Sequence, residues 1–564
     1  MLNELYTAQG ESLNGTPWEI YPRPQMKRNS YINLNGIWEL TVEEWAETFS
    51  IRVPFCPESP LSEVSRHFPE GSVLSYKRNF SLPEGFNKGR VLLHVGAADQ
   101  IAEVFVNRKP VGRHEGGYTA FTLDITDALE DDNLLEVRCT DDLRDLSMPY
   151  GKQTMRRGGM WYTPVSGIWQ SVWLESVPTR YIENLRIENR GYGVHISTYP
   201  AMNGRVLVEN LGEYPLEDGK VMIKPQNPHL WTPDDPYLYS FRIITEEDEV
   251  ESYFAIRTIE TKVINGIPRL CLNGKPYFFH GLLDQGYWPD GIYTPAAPEC
   301  YAQDILAMKK LGFNTLRKHI KIEAEEFYYQ CDRLGMIVFQ DMVNNGNYSF
   351  IRDTAIPTVR IQKLSDKHMH RDTKARESFL KAMEQTVAQL GNHPCILYWT
   401  IFNEGWGQFD SDNVYQKLRA LDDTRIIDTT SGWFRRKNSD VESLHIYFGP
   451  WNQIRPCKKP LILSEFGGYA YLVKEHIFNP NNAYGYKTCK SQEEFQSQIL
   501  ALYQNKVIPA VKKGLCGAIC TQVSDVEDEI NGFLTYDRKV CKADEKAMTE
   551  LSAQLQAELT RACL

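Results

Sequence analysis

Ile-Leu-Tyr-Trp-Thr-Ile-Phe-Asn-Glu-Gly-Trp-Gly, residues 396–407, is the stretch on which the reading of this chain turns. A run this apolar suits a strand buried on both faces, as in a parallel sheet covered by helices. Its polar end, Asn403-Glu404, followed by glycines, suits the carboxyl end of such a strand. Leu-Ile-Leu-Ser-Glu-Phe-Gly-Gly, residues 461–468, repeats the arrangement around Glu465. An isolated Asn-Glu pair is more often a cap or a surface pair, but these runs are too apolar for a surface edge. Two such strands in one barrel let their carboxylates face each other across its mouth.

Outward from these runs, strand-like and helix-like segments alternate after about residue 262. The strand candidates are 277–283, 314–318, 336–340, 396–402, 425–429, 443–447, 460–464 and 517–522. Helical patterns fall between most of them, at 300–310, 324–334 and 378–390. Gly312, Gly335 and Gly391 follow these patterns, where left-handed caps are expected. Eight β-then-α units predict a (β/α)8 TIM barrel over residues 262–564.

The preceding chain reads as strands alone. Segments 36–40, 91–95, 102–106, 121–125 and 172–175 predict a jelly-roll β-sandwich over residues 1–180. Segments 194–197, 205–208 and 239–243 predict a smaller immunoglobulin-like β-sandwich over 181–261. No low-complexity linker separates the three, so direct packing of the domains is expected.

Composition narrows the function. The chain has 564 residues, 42 % hydrophobic and 12 % aromatic, as large packed cores require. A net charge of −11 with no Lys/Arg cluster argues against nucleic acid as a partner. No apolar stretch is long enough for a membrane span. The first residues lack a basic start and an apolar core, so no secretory signal is expected. The 12 cysteines are scattered without zinc spacing, which predicts reduced thiols and a cytoplasmic protein. No phosphate-binding glycine loop, dinucleotide fingerprint or metal cluster is present in the sequence, so neither cofactor nor metal is expected. The two β domains offer surfaces on which a homo-oligomer can form.

Polar groups gather at the ends of the predicted barrel strands. Asp284 and Trp288 follow the first, and Arg317 and His319 end the second. Glu404 ends the fourth with Trp406 beyond, and His445 and Tyr447 end the sixth. Glu465 ends the seventh, and Gln522 with Asp525 the eighth. Two carboxyls across a pocket are the machinery of glycosidic bond cleavage: one protonates the leaving oxygen, and the other attacks the anomeric carbon or activates water. Arg317 near Glu465 is expected to keep that glutamate ionised. Tyr447 is expected to donate to the nucleophile, and the indoles to touch ligand.

These residues resemble glycoside hydrolase family 2, the family of β-galactosidases, β-glucuronidases and β-mannosidases, over essentially the whole chain. Gly-Met-Trp-Tyr-Thr-Pro-Val-Ser-Gly-Ile-Trp, 159–169, is similar to a motif late in the family's jelly roll. Trp-Thr-Pro-Asp-Asp-Pro-Tyr-Leu-Tyr, 231–239, resembles one in its second domain. The resemblance implies Glu404 as general acid/base, Glu465 as nucleophile, Asn403 on the sugar's 2-hydroxyl, and retention of configuration. It also implies a substrate-binding set of Asn403, Asp284, Trp288, Arg317, His319, Trp406, His445, Tyr447, Gln522 and Asp525.

The pattern departs in one place. Family β-glucuronidases carry an Asn-x-Lys motif whose lysine binds the uronate. The corresponding stretch here, Asp528-Glu529-Ile530-Asn531-Gly532-Phe533-Leu534-Thr535-Tyr536-Asp537-Arg538, has no such lysine, and an acidic run, Asp525 to Glu529, leads into it. Negative charge should repel a uronate. The expectation is therefore a retaining exo-β-glycosidase for a neutral terminal sugar, β-galactosidase first. The alternatives are a β-glucuronidase or other β-glycosidase (galacturonide, arabinoside), and, in a different class, a non-catalytic carbohydrate-binding protein. Lys318, Lys321 and Arg435 are the basic residues that could overturn the neutral-sugar choice by reaching the pocket. The sequence stops soon after the predicted barrel, so the extra C-terminal domains of the large β-galactosidases are not expected.

Overall fold

Alternation of inward apolar and outward polar residues builds two β-sandwiches in the computed structural model, which describes residues 2–43, 45, 47–356, 365–449 and 451–564. In the first, a sheet of Tyr31–Asn33, Val172–Val177, Arg90–Val95 and Phe121–Asp124 packs on a six-stranded sheet. Strand Asn133–Thr140, central in the larger sheet, buries Leu135, Val137 and Cys139 at every second position. Trp38, Leu40 and Tyr76 meet Leu93, Val95 and Leu174 between the layers. The second sandwich sets Asn184–Asn189, Val194–Tyr199 and Lys220–Ile223 against four strands. Ile196, Val206, Phe241 and Ile243 fill its core.

The remaining strands form an eight-stranded parallel sheet curled into a barrel. They are β1 (Phe279–Asp284), β2 (Thr315–Lys318), β3 (Ile337–Asp341) and β4 (Ile396–Asn403). β5 (Ile426–Ser431), β6 (Glu442–Ile446), β7 (Leu461–Gly467) and β8 (Leu515–Thr521) complete it. Parallel ladders join every neighbouring pair except β5 and β6. Side chains bridge that seam: Ser443 Oγ donates to Asp428 at 2.9 Å, and Ser431 Oγ meets His445 Nε2 at 3.1 Å. Every residue of β4 is buried, which is why its sequence is apolar on both faces.

Helices Glu299–Lys310, Glu325–Leu334 and Thr373–Leu390 cover the barrel. Gly312 and Gly335 take the left-handed conformation expected after the first two, with φ of +80° and +75°. Gly391 departs from that expectation. Its φ is −61°, and its N–H donates to Val387 as one more helical residue. Glycine is required there for space, because a Cβ would lie 2.6 Å from the Val387 oxygen.

The domains pack directly on one another. Trp231 Nε1 of the second sandwich donates to Asp332 O at 2.8 Å. The buried Arg257 donates to Pro394 O and Ile396 O at the base of β4. All twelve cysteines are unpaired. Among the described residues no helix is long and apolar enough to cross a membrane.

The loop after β8 is held by a buried ion pair. Lys542 Nζ lies 2.6 and 2.7 Å from the two Asp525 oxygens and donates to Ile530 O at 3.1 Å. Lys542→Met leaves the carboxylate buried without its cation. The expected cost is about 3–5 kcal/mol, seen as a clearly lower unfolding midpoint. An unchanged midpoint would show that the pair does not hold this loop.

Candidate active site

Glu404 and Glu465 reach the same cavity from β4 and β7. Glu404 has a left-handed φ of +51°, and Gly405 behind it has +74°. A left-handed glutamate is an unfavourable conformer kept only where its surroundings impose it. Here its N–H donates to Ser431 O at the end of β5, and a Cβ at Gly405 would meet the Phe434 ring at 2.5 Å. The turn lifts the Glu404 carboxyl over the barrel mouth. One oxygen of each glutamate and the His445 Nδ1 all lie within 4.8 Å of one another.

Arg317, 1 % exposed at the end of β2, organises the floor. Its Nη1 donates to Glu465 Oε1 at 3.0 Å, its Nε to Asp341 at 2.9 Å, and its Nη2 to Asn403 Oδ1 at 2.8 Å. A guanidinium only donates. Asn403 must therefore turn its oxygen to Arg317, which leaves its N–H₂ available as a donor. Tyr447 donates to Glu465 Oε2 at 2.7 Å. Burial works to raise the Glu465 carboxyl, but the neighbouring charges, His445 and Arg317 foremost, outweigh it and hold it at about 2. The result is an anionic carboxylate whose two oxygens are oriented by a cation and a phenol.

The histidines are ordered in the same way. Burial pushes His319 down to about 4, so its ring is neutral at pH 7. Asp341 only accepts, so the His319 proton lies on Nδ1, 2.7 Å from it, and Nε2 is a bare acceptor. His445 Nδ1 is 2.7 Å from Glu404 Oε1. On its far side Nε2 faces Ser431 Oγ, whose own proton goes to Ser464 at 2.9 Å. His445 Nε2 is thus the donor to Ser431, and a single proton bridges Nδ1 and Glu404.

The cavity is lined by Gln285, His319, Asn403, Glu404, Trp406, Tyr447, Glu465 and Thr521 from the barrel strand ends. Tyr348, Tyr486 and Glu529 enter from longer loops, and Lys152 and Met160 from the first sandwich. Trp406 stands edge-on to Trp161, with ring centres 4.7 Å apart, and its indole N–H donates to Tyr150 at 3.2 Å. Glu529 accepts from the Tyr162 hydroxyl and from Asn531 Nδ2.

Of the residues named from the sequence, Asn403, His319, Trp406 and Tyr447 line the cavity with the two glutamates. Arg317 and His445 act on those glutamates from behind. Four lie outside the lining, each engaged elsewhere. Asp284 pairs with Lys318 at 2.7 Å. Gln522 lies between Gln285 and Asn531, 2.8 Å from each. Asp525 holds Lys542. Trp288 is 3 % exposed, with the Arg538 guanidinium 4.0 Å above its ring. A strand-end position brings a residue near the mouth, but its pairing decides whether it faces a ligand. Lys152, Gln285, Tyr348, Tyr486 and Thr521 were not foreseen. Gln285 adjoins the flagged Asp284, and Thr521 adjoins Gln522. Lys152 carries no sequence signal, because only domain packing brings it here.

The three basic residues expected to threaten a neutral pocket do not line it. Lys318 and Lys321 both pair with Glu323 at 2.9 Å, and Arg435 pairs with Glu442.

Comparison with known proteins adds the family. A model described as the TIM barrel domain of glycosyl hydrolases family 2 matches residues 265–556. The galactose-binding domain-like model of glycosyl hydrolase 2 matches 64–154, and a further model for glycosyl hydrolases family 2 matches 179–257. A β-galactosidase from Thermoanaerobacter pseudethanolicus is 24 % identical over 71 % of this chain, which spans only 54 % of that protein's length. A β-glucuronidase from Chlorocebus aethiops is 23 % identical over 90 % of this chain and 88 % of its own. The solved β-D-glucuronidase of Dictyoglomus thermophilum superposes with a TM-score of 0.73 at 20 % identity, covering 95 % of this chain and 98 % of that one.

Proposed function

The chain belongs to glycoside hydrolase family 2, and from that premise we propose that it is a retaining exo-β-glycosidase acting on a β-linked hexuronide. The observation that carries the retaining mechanism is the approach of the Glu404 and Glu465 oxygens to within 4.8 Å. Retaining pairs stand about 5–5.5 Å apart, whereas inverting pairs stand about 6.5–9.5 Å apart to admit water.

Glu465, anionic and oriented by Arg317 and Tyr447, attacks the anomeric carbon as the glycosidic bond breaks. Glu404 transfers the proton it shares with His445 to the leaving oxygen. The sugar is then an ester of Glu465. Glu404, now a carboxylate, takes a proton from water, whose oxygen attacks the same carbon and frees Glu465. Asn403, with its N–H₂ turned into the cavity, suits a hydroxyl beside the reacting carbon. Trp406 and the tyrosines suit the faces of the ring.

The sugar reading differs from the neutral hexose expected from the sequence. That expectation rested on an acidic run at the rim. Asp525 of that run is neutralised by Lys542, and Asp528 by Arg157 at 2.8 Å. Only Glu529 of the run lines the cavity, and Lys152 lines it as well. The relative matched over most of its own length is a β-glucuronidase, which supports a uronide. A neutral β-galactoside is the second reading, favoured by Glu529 and by the shorter galactosidase match.

A side-by-side assay of nitrophenyl β-D-glucuronide, β-D-galacturonide, β-D-galactoside and β-D-glucoside tests the choice. A uronide is expected to exceed its matching hexoside in kcat/KM by about tenfold or more, the return on roughly 1.4 kcal/mol of added binding. A galactoside turned over faster than both uronides would overturn the hexuronide reading.

A further inference from the structure

We propose, resting on the hexuronide reading, that Lys152 of the first β-sandwich is the cation that receives the sugar's carboxylate, so that the barrel's substrate site is completed by another domain. Lys152 lines the cavity that holds Glu404 and Glu465. Among the described residues its ammonium has no hydrogen-bonding or ion-pair partner. Its Nζ lies 5.8 Å from the centre of the Tyr162 ring. The other lysines close to the mouth, Lys318 and Lys321, are spent on Glu323. A cation beside a pocket with its donors uncommitted is a receptor for an anion.

The segment carrying Lys152 is fixed on both sides, to the barrel before it and to its own sandwich after it. Before it, Asn345 Nδ2 donates to Ser147 O at 2.7 Å, Tyr150 N to Asn344 O at 3.1 Å, and Tyr150 OH to Gly346 O at 2.8 Å. After it, Gln153 Nε2 donates to Asp99 at 3.1 Å and to Tyr118 at 3.0 Å. Between these anchors Gly151 has φ +67°, and a Cβ there would lie 2.8 Å from the Tyr118 hydroxyl. The lysine is therefore presented from a rigid base, and ordering it costs little on binding.

Charge requires such a group. A carboxylate that enters a pocket loses hydration and needs a cation or several donors in return. Glu529, the third glutamate in the lining, accepts from Tyr162 and Asn531, so its two oxygens are already met by donors. It remains able to accept a sugar hydroxyl. Lys152 also adds to the field that holds Glu465 anionic, which gives a rival account: the lysine serves the nucleophile and not the substrate.

Lys152→Met keeps the stem and removes the charge, and Lys152→Arg keeps the charge. Both are to be assayed beside the wild type on nitrophenyl β-D-glucuronide and β-D-glucoside, with D-glucuronate binding measured by calorimetry. Lys152→Met is expected to lower the uronide-to-glucoside ratio of kcat/KM by about 100-fold, as loss of one partner of a desolvated charge pair does, mainly through KM. Lys152→Arg should restore most of that ratio, and D-glucuronate binding should weaken with the methionine variant alone. An equal loss on both substrates would overturn the proposal in favour of the nucleophile account. An unchanged ratio with unchanged D-glucuronate binding would overturn it outright. The wild-type ratio by itself reports on the hexuronide reading, so the two failures are told apart.

Discussion

Glu465→Ala is expected to abolish turnover of activated and natural glycosides alike, with a fall in kcat of about 10⁴-fold or more, the scale of losing a group that acts covalently. The variant removes the carboxylate that Arg317 and Tyr447 orient for attack. Arg317 donates to its Oε1 at 3.0 Å and Tyr447 to its Oε2 at 2.7 Å. Neither donor can replace it, because neither is a nucleophile. Azide fits the space left by the carboxylate and should restore turnover, releasing a glycosyl azide of inverted configuration. Glu465→Gln should lose turnover as fully, since an amide oxygen is a poor nucleophile. A Glu465→Ala protein that kept a substantial part of its activity without azide would show that the nucleophile lies elsewhere.

Glu404→Ala should separate substrates by their leaving groups. General acid catalysis contributes about 10²–10⁴-fold where the leaving oxygen needs a proton. A nitrophenolate needs little help, so its glycosylation step should be largely spared, while an alkyl glycoside should lose most of that factor. Hydrolysis of the ester intermediate then becomes slow, because no base activates water. Azide needs no base, so it should speed this step and give a glycosyl azide of retained configuration. Opposite stereochemistry from the two alanine variants would assign both roles in one experiment. Equal losses on good and poor leaving groups would count against Glu404 as the acid.

The arrangement also accounts for the division of work proposed for two chemically identical side chains. Glu465 meets a guanidinium and a phenol, both of which stabilise its anion. Glu404 meets an imidazole nitrogen with a single proton between them, which makes it a partner in proton transfer. The split depends on neighbours supplied by β2 and β6 and not on the glutamates themselves.

What the sequence determined by itself was local. The length, apolarity and polar ends of 396–403 and 461–467 mark strands buried on both faces, and β4 and β7 occupy Ile396–Asn403 and Leu461–Gly467. Alternation marked the strands of both sandwiches for the same reason: burial on one face leaves a period of two. Glycines after helices were legible where a left-handed cap was needed, as at Gly335, and misread at Gly391, where the need was for space beside Val387. Tertiary structure alone decided which polar residues face the cavity. Asp525 and Asp284 stand at strand ends as Glu465 does, yet a lysine later in the same loop segment and one on the neighbouring strand claim them. Lys152 lies in another domain, with nothing in its own neighbourhood to mark it. A hydrogen-bond partner or an ion pair is a fact about two distant positions at once. A periodic pattern can report how deeply one residue is buried, but not which charge it will meet there.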